Sequence, residues 1–186
     1  MAKLYSFNMI TLNGLFEGPT PWSIEWHTVD QEFNDFAIAQ LETIGALIFG
    51  RTTYEGMAAY WPSPEGIQDD PQIARMMNAM PKIVVSSTLE RADWSNTRVI
   101  ANNLADEITR LKKESDKDVA VFGSANLLGS LTKLGLVDEH RLLLSPIVLE
   151  RGTPLFQGID GQLKLNLLES RTFKNGNVLL RYAVTA

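Results

Sequence analysis

The sequence contains no cysteine and only two histidines, His27 and His140, among its 186 residues. The lack of cysteine excludes disulfide bonds, a thiol nucleophile, iron–sulfur clusters and cysteine-ligated zinc. The two histidines lie far apart in the chain, so the sequence offers no histidine-rich metal site. We therefore expect no bound metal and no catalysis by a thiol.

Basic residues and long hydrophobic runs are also scarce. Seventeen Lys and Arg stand against 22 Asp and Glu, which gives a net charge of −5 and no basic surface for nucleic acid. Apolar runs such as 119–122 stay far below the ~20 residues of a membrane span. The first eight residues carry one positive charge and no apolar stretch, unlike a signal peptide. We predict a soluble, cytoplasmic protein with neither a nucleic-acid nor a membrane partner.

The length of 186 residues and the 45% hydrophobic content suit a single domain spanning residues 1–186. No internal repeat or linker divides the chain. The stretch 62–71 is rich in proline and acidic residues and is predicted to be a surface loop. A domain boundary there would leave an N-terminal piece of about 60 residues, which is small for a stable core.

Hydrophobic periodicity predicts strands that alternate with helices over the first two-thirds of the chain, followed by consecutive strands. The predicted strands are residues 3–12, 46–49, 82–87, 98–100, 118–122, 139–145, 163–169 and 178–184. The predicted helices begin at N-caps or capping boxes at Thr28 or Asp30, Thr52, Asp70, Asn103 and Ser124. The last two strands flank Asn175-Gly176, a hairpin signal. The predicted fold class is α/β, with a mostly parallel central sheet, helices on both faces and a C-terminal antiparallel hairpin.

Three turns after predicted strands have the residue types of an anion site. In Gly50-Arg51-Thr52-Thr53, a buried strand leads through glycine and a cation to a helix start, where free N–H groups and positive potential suit phosphate. The run from Gly123 to Leu127 brings glycine and small residues to a second helix start. The third turn, at the end of a buried strand, carries the hydroxyls of Ser86, Ser87 and Thr88, which could hold a phosphate or a ribose.

Each turn alone is explained equally well as an ordinary capped helix or loop. Together they are more informative, because ligands of open α/β sheets bind outside the carboxyl ends of the strands. Three such turns on one sheet edge favour a ligand with more than one phosphate, such as a dinucleotide. A dinucleotide that carries the hydride also fits a chain with few reactive side chains.

Four segments carry a resemblance to a known family: GRTTYEGMAAYWP (50–62), KIVVSSTL (82–89), VFGSANLLGSL (121–131) and GLVDEHRLLLSPIVLERGTPLF (135–156). They resemble the dihydrofolate-reductase-like family, and more closely its branch related to the C-terminal reductase domain of the bifunctional riboflavin-biosynthesis deaminase/reductase. The resemblance covers nearly the whole chain in the right order. It implies a dihydrofolate-reductase-like fold, NADPH as cofactor and a homodimer.

The resemblance also implies cofactor-binding residues. The phosphate-contacting turn would comprise Gly50, Arg51, Thr52 and Thr53. The segment near the adenosine 2′-phosphate would comprise Ser86 and Ser87. The pyrophosphate loop would comprise Gly123, Ser124, Ala125, Asn126 and Leu127. The loop near the nicotinamide would comprise Asn13 and Gly14.

Two departures from the family pattern concern the substrate. Related riboflavin reductases carry Asp-Gly-Lys after the first strand, whereas this chain has Asn13-Gly14-Leu15 and lacks the lysine that would suit a ribosyl phosphate. Dihydrofolate reductases place a carboxylate on the first helix, and here Asp30 and Asp35 lie nearby without a clear match. No proton donor is assigned.

Trp22 and His27 lie in the loop before the first helix and complete the substrate candidates. Trp22 either forms an aromatic wall for a planar ring or packs its loop on the core. His27 is either an acid or base, or a structural side chain. His140 is expected to point outward from its strand.

The sequence thus predicts an NADPH-dependent reductase of a small heterocycle, similar to dihydrofolate reductase or to 5-amino-6-(5-phosphoribosylamino)uracil reductase. The alternatives are a nucleotide-binding or sensor protein without turnover, and a structural dimer that has kept the fold but lost the cofactor.

Overall fold

A computed structural model describes residues 1–185, and within them it contains ten strands and six helices. The strands are β1 (Leu4–Thr11), β2 (Leu15–Glu17), β3 (Ile44–Gly50), β4 (Lys82–Val85), β5 (Thr97–Ile100), β6 (Asp118–Val121), β7 (Glu139–Ser145), β8 (Thr153–Pro154), β9 (Leu165–Thr172) and β10 (Val178–Val184). The helices are α1 (Gln31–Glu42), α2 (Arg51–Tyr60), α3 (Pro64–Asp69), α4 (Pro71–Ala79), α5 (Leu104–Glu114) and α6 (Ala125–Lys133).

Eight strands form one sheet in the order β5-β4-β3-β6-β1-β7-β10-β9, and β2 pairs with β8 separately. The pairs from β5 to β7 are parallel, whereas β10 runs antiparallel to both β7 and β9. Gly176, at a φ of +89°, lies in the turn that joins β9 to β10. The predicted α/β class and the C-terminal hairpin are confirmed.

Helices cover both faces of the sheet, as predicted. On one face, which we call the α6 face, Ile108 of α5 and Leu128 of α6 pack in a core with Ile48 and Val121. On the other, the α1 face, Leu41 of α1 and Tyr54 of α2 pack in a second core with Phe49, Met77 and Ala120. Strands buried on both faces need continuous apolar runs, which is why 46–49 was recognisable as a strand.

Two local predictions are wrong, and one open alternative is resolved. The stretch 62–71 is not a plain loop, because Ser63 Oγ accepts the N–H of Gly66 at 3.1 Å and starts α3 with Pro64 at its first position. Helix α2 begins at Arg51 with Gly50 as its N-cap, so Thr52 is not the cap. Of the two candidates for α1, Asp30 is the cap, and its carboxylate accepts the N–H of Phe33 at 2.9 Å.

The prediction that His140 points outward is also wrong. His140 is fully buried, since β7 lies between β1 and β10 in the interior of the sheet. Its Nδ1 is 2.9 Å from Ser6 Oγ, and its ring packs edge-on against Phe156. Burial lowers the pKa of His140 to about 4, which keeps the ring neutral near pH 7.

No helix within residues 1–185 combines the length and the apolar character needed to cross a membrane.

Candidate functional site

The turn between β3 and α2 lies at the carboxyl edge of the sheet, against the start of α6. A Cβ on Gly50 would overlap Ser124 Oγ, so glycine allows the two turns to approach this closely with Ser124 in its present rotamer. Gly50 is also the N-cap of α2 and makes no side-chain capping bond, which leaves the first N–H groups of the helix free of a side-chain cap. Such a helix start attracts anions.

The turn between β6 and α6 forms the other half of the contact with the turn at Gly50. Gly123 has a φ of +70°, in the left-handed region that glycine adopts without strain. A Cβ there would lie 2.9 Å from both Thr53 Oγ1 and Phe16 Cζ. The N-cap Ser124 makes no side-chain capping bond to α6. Two helix starts without side-chain caps therefore meet on neighbouring strands β3 and β6.

The third turn, which follows β4, contacts the first turn through Arg51. Arg51 Nη1 donates to Thr88 Oγ1 at 2.7 Å, and Arg51 Nε donates to Glu55 Oε1 at 2.7 Å. The Arg51–Glu55 pair is half exposed, so the guanidinium can exchange this weak surface pair for a phosphate. Ser86 Oγ lies 3.4 Å from Thr88 Oγ1, and the Ser87 side chain is exposed at the same turn.

The Thr88 hydroxyl was noted in the third turn from the sequence, but its contact with Arg51 was not predicted. Nothing local distinguishes its hydroxyl from those of its neighbours. Its role depends on a contact with Arg51, 37 positions away in the chain.

Asn13 and Gly14 lie at the carboxyl end of β1, on the same edge of the sheet. Asn13 Oδ1 accepts the hydroxyl of Thr11, and its Nδ2 donates to the carbonyl of Leu149, both at 2.8 Å. Gly14 has a φ of +82°, and its carbonyl accepts the N–H of Leu155. The Asn13 amide and the backbone bonds of Gly14 therefore fix the turn, and its contact with a nicotinamide stays a prediction.

Trp22 packs on α2, close to the first of the three turns. A Cβ on Gly56 would overlap the Trp22 ring, and Trp22 Nε1 donates to the carbonyl of Thr52 at 3.3 Å. Trp22 has a φ of +65°, and Glu17 Oε2 accepts its N–H at 3.1 Å. The loop before α1 is thus anchored to the helix that carries Arg51, while Trp22 as a wall for the substrate stays a prediction.

The remaining substrate candidates are placed around α1. Burial lowers the pKa of His27 to about 4, and its ring packs edge-on against Trp26 with centroids 4.4 Å apart. Asp30 caps α1, and the exposed Asp35 accepts a bond from Gln31 Nε2 at 2.8 Å. The two carboxylates are thus engaged by their own helix, and the substrate roles of all three residues stay predictions.

Metal ligation finds no support in the described part of the chain. Among residues 1–185, no group of three or more His, Asp or Glu side chains is arranged to hold a metal ion. Helix starts without side-chain caps and an arginine are features that suit an anion.

Comparison with known proteins identifies the fold and the family of this chain. The fold is that of the dihydrofolate-reductase-like proteins. The family model of the RibD C-terminal domain matches residues 2–179, and the chain belongs to that family.

One relative and two solved structures illustrate the range of similarity. The uncharacterized protein YyaP of Bacillus subtilis (strain 168) is 31% identical over 175 residues, covering 93% of this chain and 90% of its own. The putative riboflavin biosynthesis protein of Shewanella sp. PV-4 has a TM-score of 0.77 at 20% identity, with 100% of both chains covered. Dihydrofolate reductase of Enterococcus faecalis, solved with NADP(H), has a TM-score of 0.64 at 17% identity, covering 99% of this chain and 97% of its own.

Proposed function

We propose that the protein is an NADPH-dependent reductase of a small heterocyclic substrate. The observation that carries the proposal is the contact between the turns at Gly50 and Gly123. It brings two helix starts without side-chain caps to one sheet edge, with Arg51 beside them. A phosphate-rich dinucleotide is the ligand that such an edge suits best.

The residues present fit the cofactor in three places. The N–H groups at the starts of α2 and α6 would hold the pyrophosphate, since neither helix start is closed by a side-chain cap. Arg51, with the hydroxyls of Ser86 and Thr88 around it, would hold the 2′-phosphate. The nicotinamide end would lie toward Asn13 and Gly14. When bound, the reduced nicotinamide supplies the hydride.

Titration calorimetry of the purified protein with NADPH and NADH tests the proposal. The Arg51→Ala variant should lose about tenfold or more in NADPH affinity, because it removes a charge-assisted phosphate contact, while NADH affinity changes little. Arg91→Ala is the matched control, since Arg91 is an exposed arginine paired only with Asp93. An equal loss for both cofactors would remove Arg51 from the 2′-phosphate site.

A nucleotide-binding or sensor protein without turnover is the second candidate. The observation in its favour is that the carboxylates of Asp30 and Asp35 each accept a hydrogen bond from their own helix, which is a structural role. NADPH oxidation, followed by absorbance with dihydrofolate or the phosphoribosylamino-pyrimidine of riboflavin synthesis as substrate, separates the two. Binding without turnover across substrates favours the sensor, and no binding at millimolar NADPH contradicts both candidates.

We also propose a homodimer, as the family resemblance implies. The edge strand β9 supports it, because Leu167 and Leu168 are 56% and 51% exposed. Light scattering coupled to size exclusion measures the mass of the protein in solution, and a monomer at micromolar concentration would contradict the proposal.

A further inference from the structure

Arg51 and Glu55 form an ion pair whose order runs against the dipole of α2. Arg51 is the first residue of the helix, and Glu55 lies one turn further on. A helix favours acidic side chains at its start and basic side chains at its end, and in pairs four residues apart it favours the acid first. Helix α5 of the same chain follows this rule, with its acids in the first turn and its bases in the last. The reversed order in α2 is therefore not accounted for by helix stability.

The Arg51 guanidinium is engaged on two sides. Its Nε donates to Glu55 Oε1 and its Nη1 donates to Thr88 Oγ1, both at 2.7 Å. Among residues 1–185, the structure gives no partner for Nη2. A guanidinium binds a phosphate best through two parallel N–H groups, either Nε with Nη2 or Nη1 with Nη2. Glu55 thus takes one donor of the first edge, and Thr88 takes one donor of the second.

The two acceptors respond differently to an incoming phosphate. The Thr88 hydroxyl is neutral and can turn to donate its proton to a phosphate oxygen, and Ser86 Oγ lies 3.4 Å from it. An ionised Glu55 carboxylate can only accept hydrogen bonds, and its charge repels a phosphate. Its pair with Arg51 is half exposed and weak enough to break. Thr88 would therefore assist a 2′-phosphate, whereas Glu55 would compete with it.

A ribose with a free 2′-hydroxyl makes the opposite demand on the same position. A hydroxyl can donate its proton to a carboxylate, and in Rossmann proteins an acidic side chain takes the ribose of NAD in this way. Glu55 supplies such an acceptor next to Arg51. The ion pair thus presents a cation for a 2′-phosphate and an anion for a 2′-hydroxyl.

We infer that Glu55 sets the choice between NADPH and NADH. It competes with the 2′-phosphate of NADPH for Arg51, and it accepts the 2′-hydroxyl of NADH. This inference rests on the proposed function, because it requires a dinucleotide whose ribose lies beside Arg51. Its consequence is a lower selectivity for NADPH than Arg51 alone would give.

Titration calorimetry of Glu55→Gln with both cofactors tests the inference. We expect NADPH to bind about three- to tenfold more tightly, because the competing carboxylate is gone, while NADH affinity stays equal or falls up to about threefold. Glu169→Gln is the matched control and should change neither affinity. Glu169 is also an exposed carboxylate 2.7 Å from an arginine, but it lies on β9, with four strands between β9 and β3. Unchanged or weaker NADPH binding in Glu55→Gln, or an equal gain for NADH, would overturn the inference.

The same substitution in an Arg51→Ala background shows whether Glu55 acts through the arginine. There the gain in NADPH affinity should shrink to less than about twofold, because the contested guanidinium is gone. An equal gain in both backgrounds would refute the competition for Arg51. Circular dichroism checks that the variants are folded.

Two probes without a nicotinamide separate this inference from the proposed function. They are adenosine 2′,5′-bisphosphate and adenosine 5′-monophosphate, which differ only in the 2′-phosphate. If NADPH does not bind, the proposed function fails, and the probes are titrated into the same variants. A gain for the bisphosphate alone, dependent on Arg51, would still support the competition at this position. Binding of neither NADPH nor the bisphosphate would reject the proposed function and the inference together.

Discussion

Replacing Gly56 with alanine probes the contact between Trp22 and α2. In the interior of a helix, alanine is more favourable than glycine by roughly 1 kcal/mol. Here the new Cβ would overlap the Trp22 ring, so the indole must leave. The displaced ring loses part of its burial and the bond from Nε1 to Thr52, together about 1–2 kcal/mol for a partly buried aromatic side chain.

The gain from alanine in the helix and the loss of the Trp22 contacts oppose each other. The quantity to measure is therefore the coupling free energy between positions 22 and 56. Gly56→Ala should be neutral or destabilising by up to about 1 kcal/mol in the natural protein, yet stabilising by about 1 kcal/mol in a Trp22→Ala background. Urea unfolding followed by circular dichroism gives the four free energies without depending on tryptophan emission.

Ala59→Gly, on the exposed side of α2, is the control and should cost about 1 kcal/mol in both backgrounds. The reasoning fails if Gly56→Ala stabilises the protein equally with and without Trp22, within the roughly 0.5 kcal/mol expected of independent sites. Such additivity would show that the indole does not rest on the helix in solution.

Two further predictions concern buried ionisable groups. Because burial lowers the pKa of His140 from 6.5 to about 4, the unfolded chain binds the proton first as the pH falls. Above pH 6.5 the full stability should be present, and toward pH 4 His140 should account for a loss of up to about 3 kcal/mol that is missing in His140→Gln; equal losses in the two proteins, measured by urea unfolding, would contradict this. Lys82→Met should cost about 1–3 kcal/mol in thermal unfolding, because the Lys82 ammonium donates to the carbonyls of Met77 and Met80 at the end of α4. Lys164→Met, at an exposed position, should cost little, and equal losses would refute the capping role.

The fold was predictable where local pattern and tertiary context agree. The bounds of β7 agree with the predicted strand 139–145, and Asp70 before Pro71 marks the start of α4 through two independent local signals. Predictions from the sequence are wrong where tertiary packing or a very short element decides the structure. His140 was expected outside because alternation does not tell an interior strand from an exposed one, and β7 is covered on both faces. Helix α3 was missed because its six residues are too few to show a period.

The candidate site also has parts that were predictable from the sequence and parts that were not. Glycine followed by a helix start is a local signature, so the turns at Gly50 and Gly123 could be found in the sequence. Long-range contacts have no such signature. The bond from Arg51 to Thr88 and the packing of Trp22 on Gly56 join residues that only the folded chain brings together.

The reciprocal fit of the turns after β3 and β6 restricts how this edge can evolve. Ser124 occupies the space beside Gly50, and Thr53 occupies the space beside Gly123. A larger residue at Gly50 requires Ser124 to rotate or to become smaller, whereas at Gly123 the φ of +70° disfavours a side chain whatever its neighbour is. Positions 50 and 124 should therefore change together among descendants of this chain, although they lie 74 positions apart, while Gly123 should stay glycine.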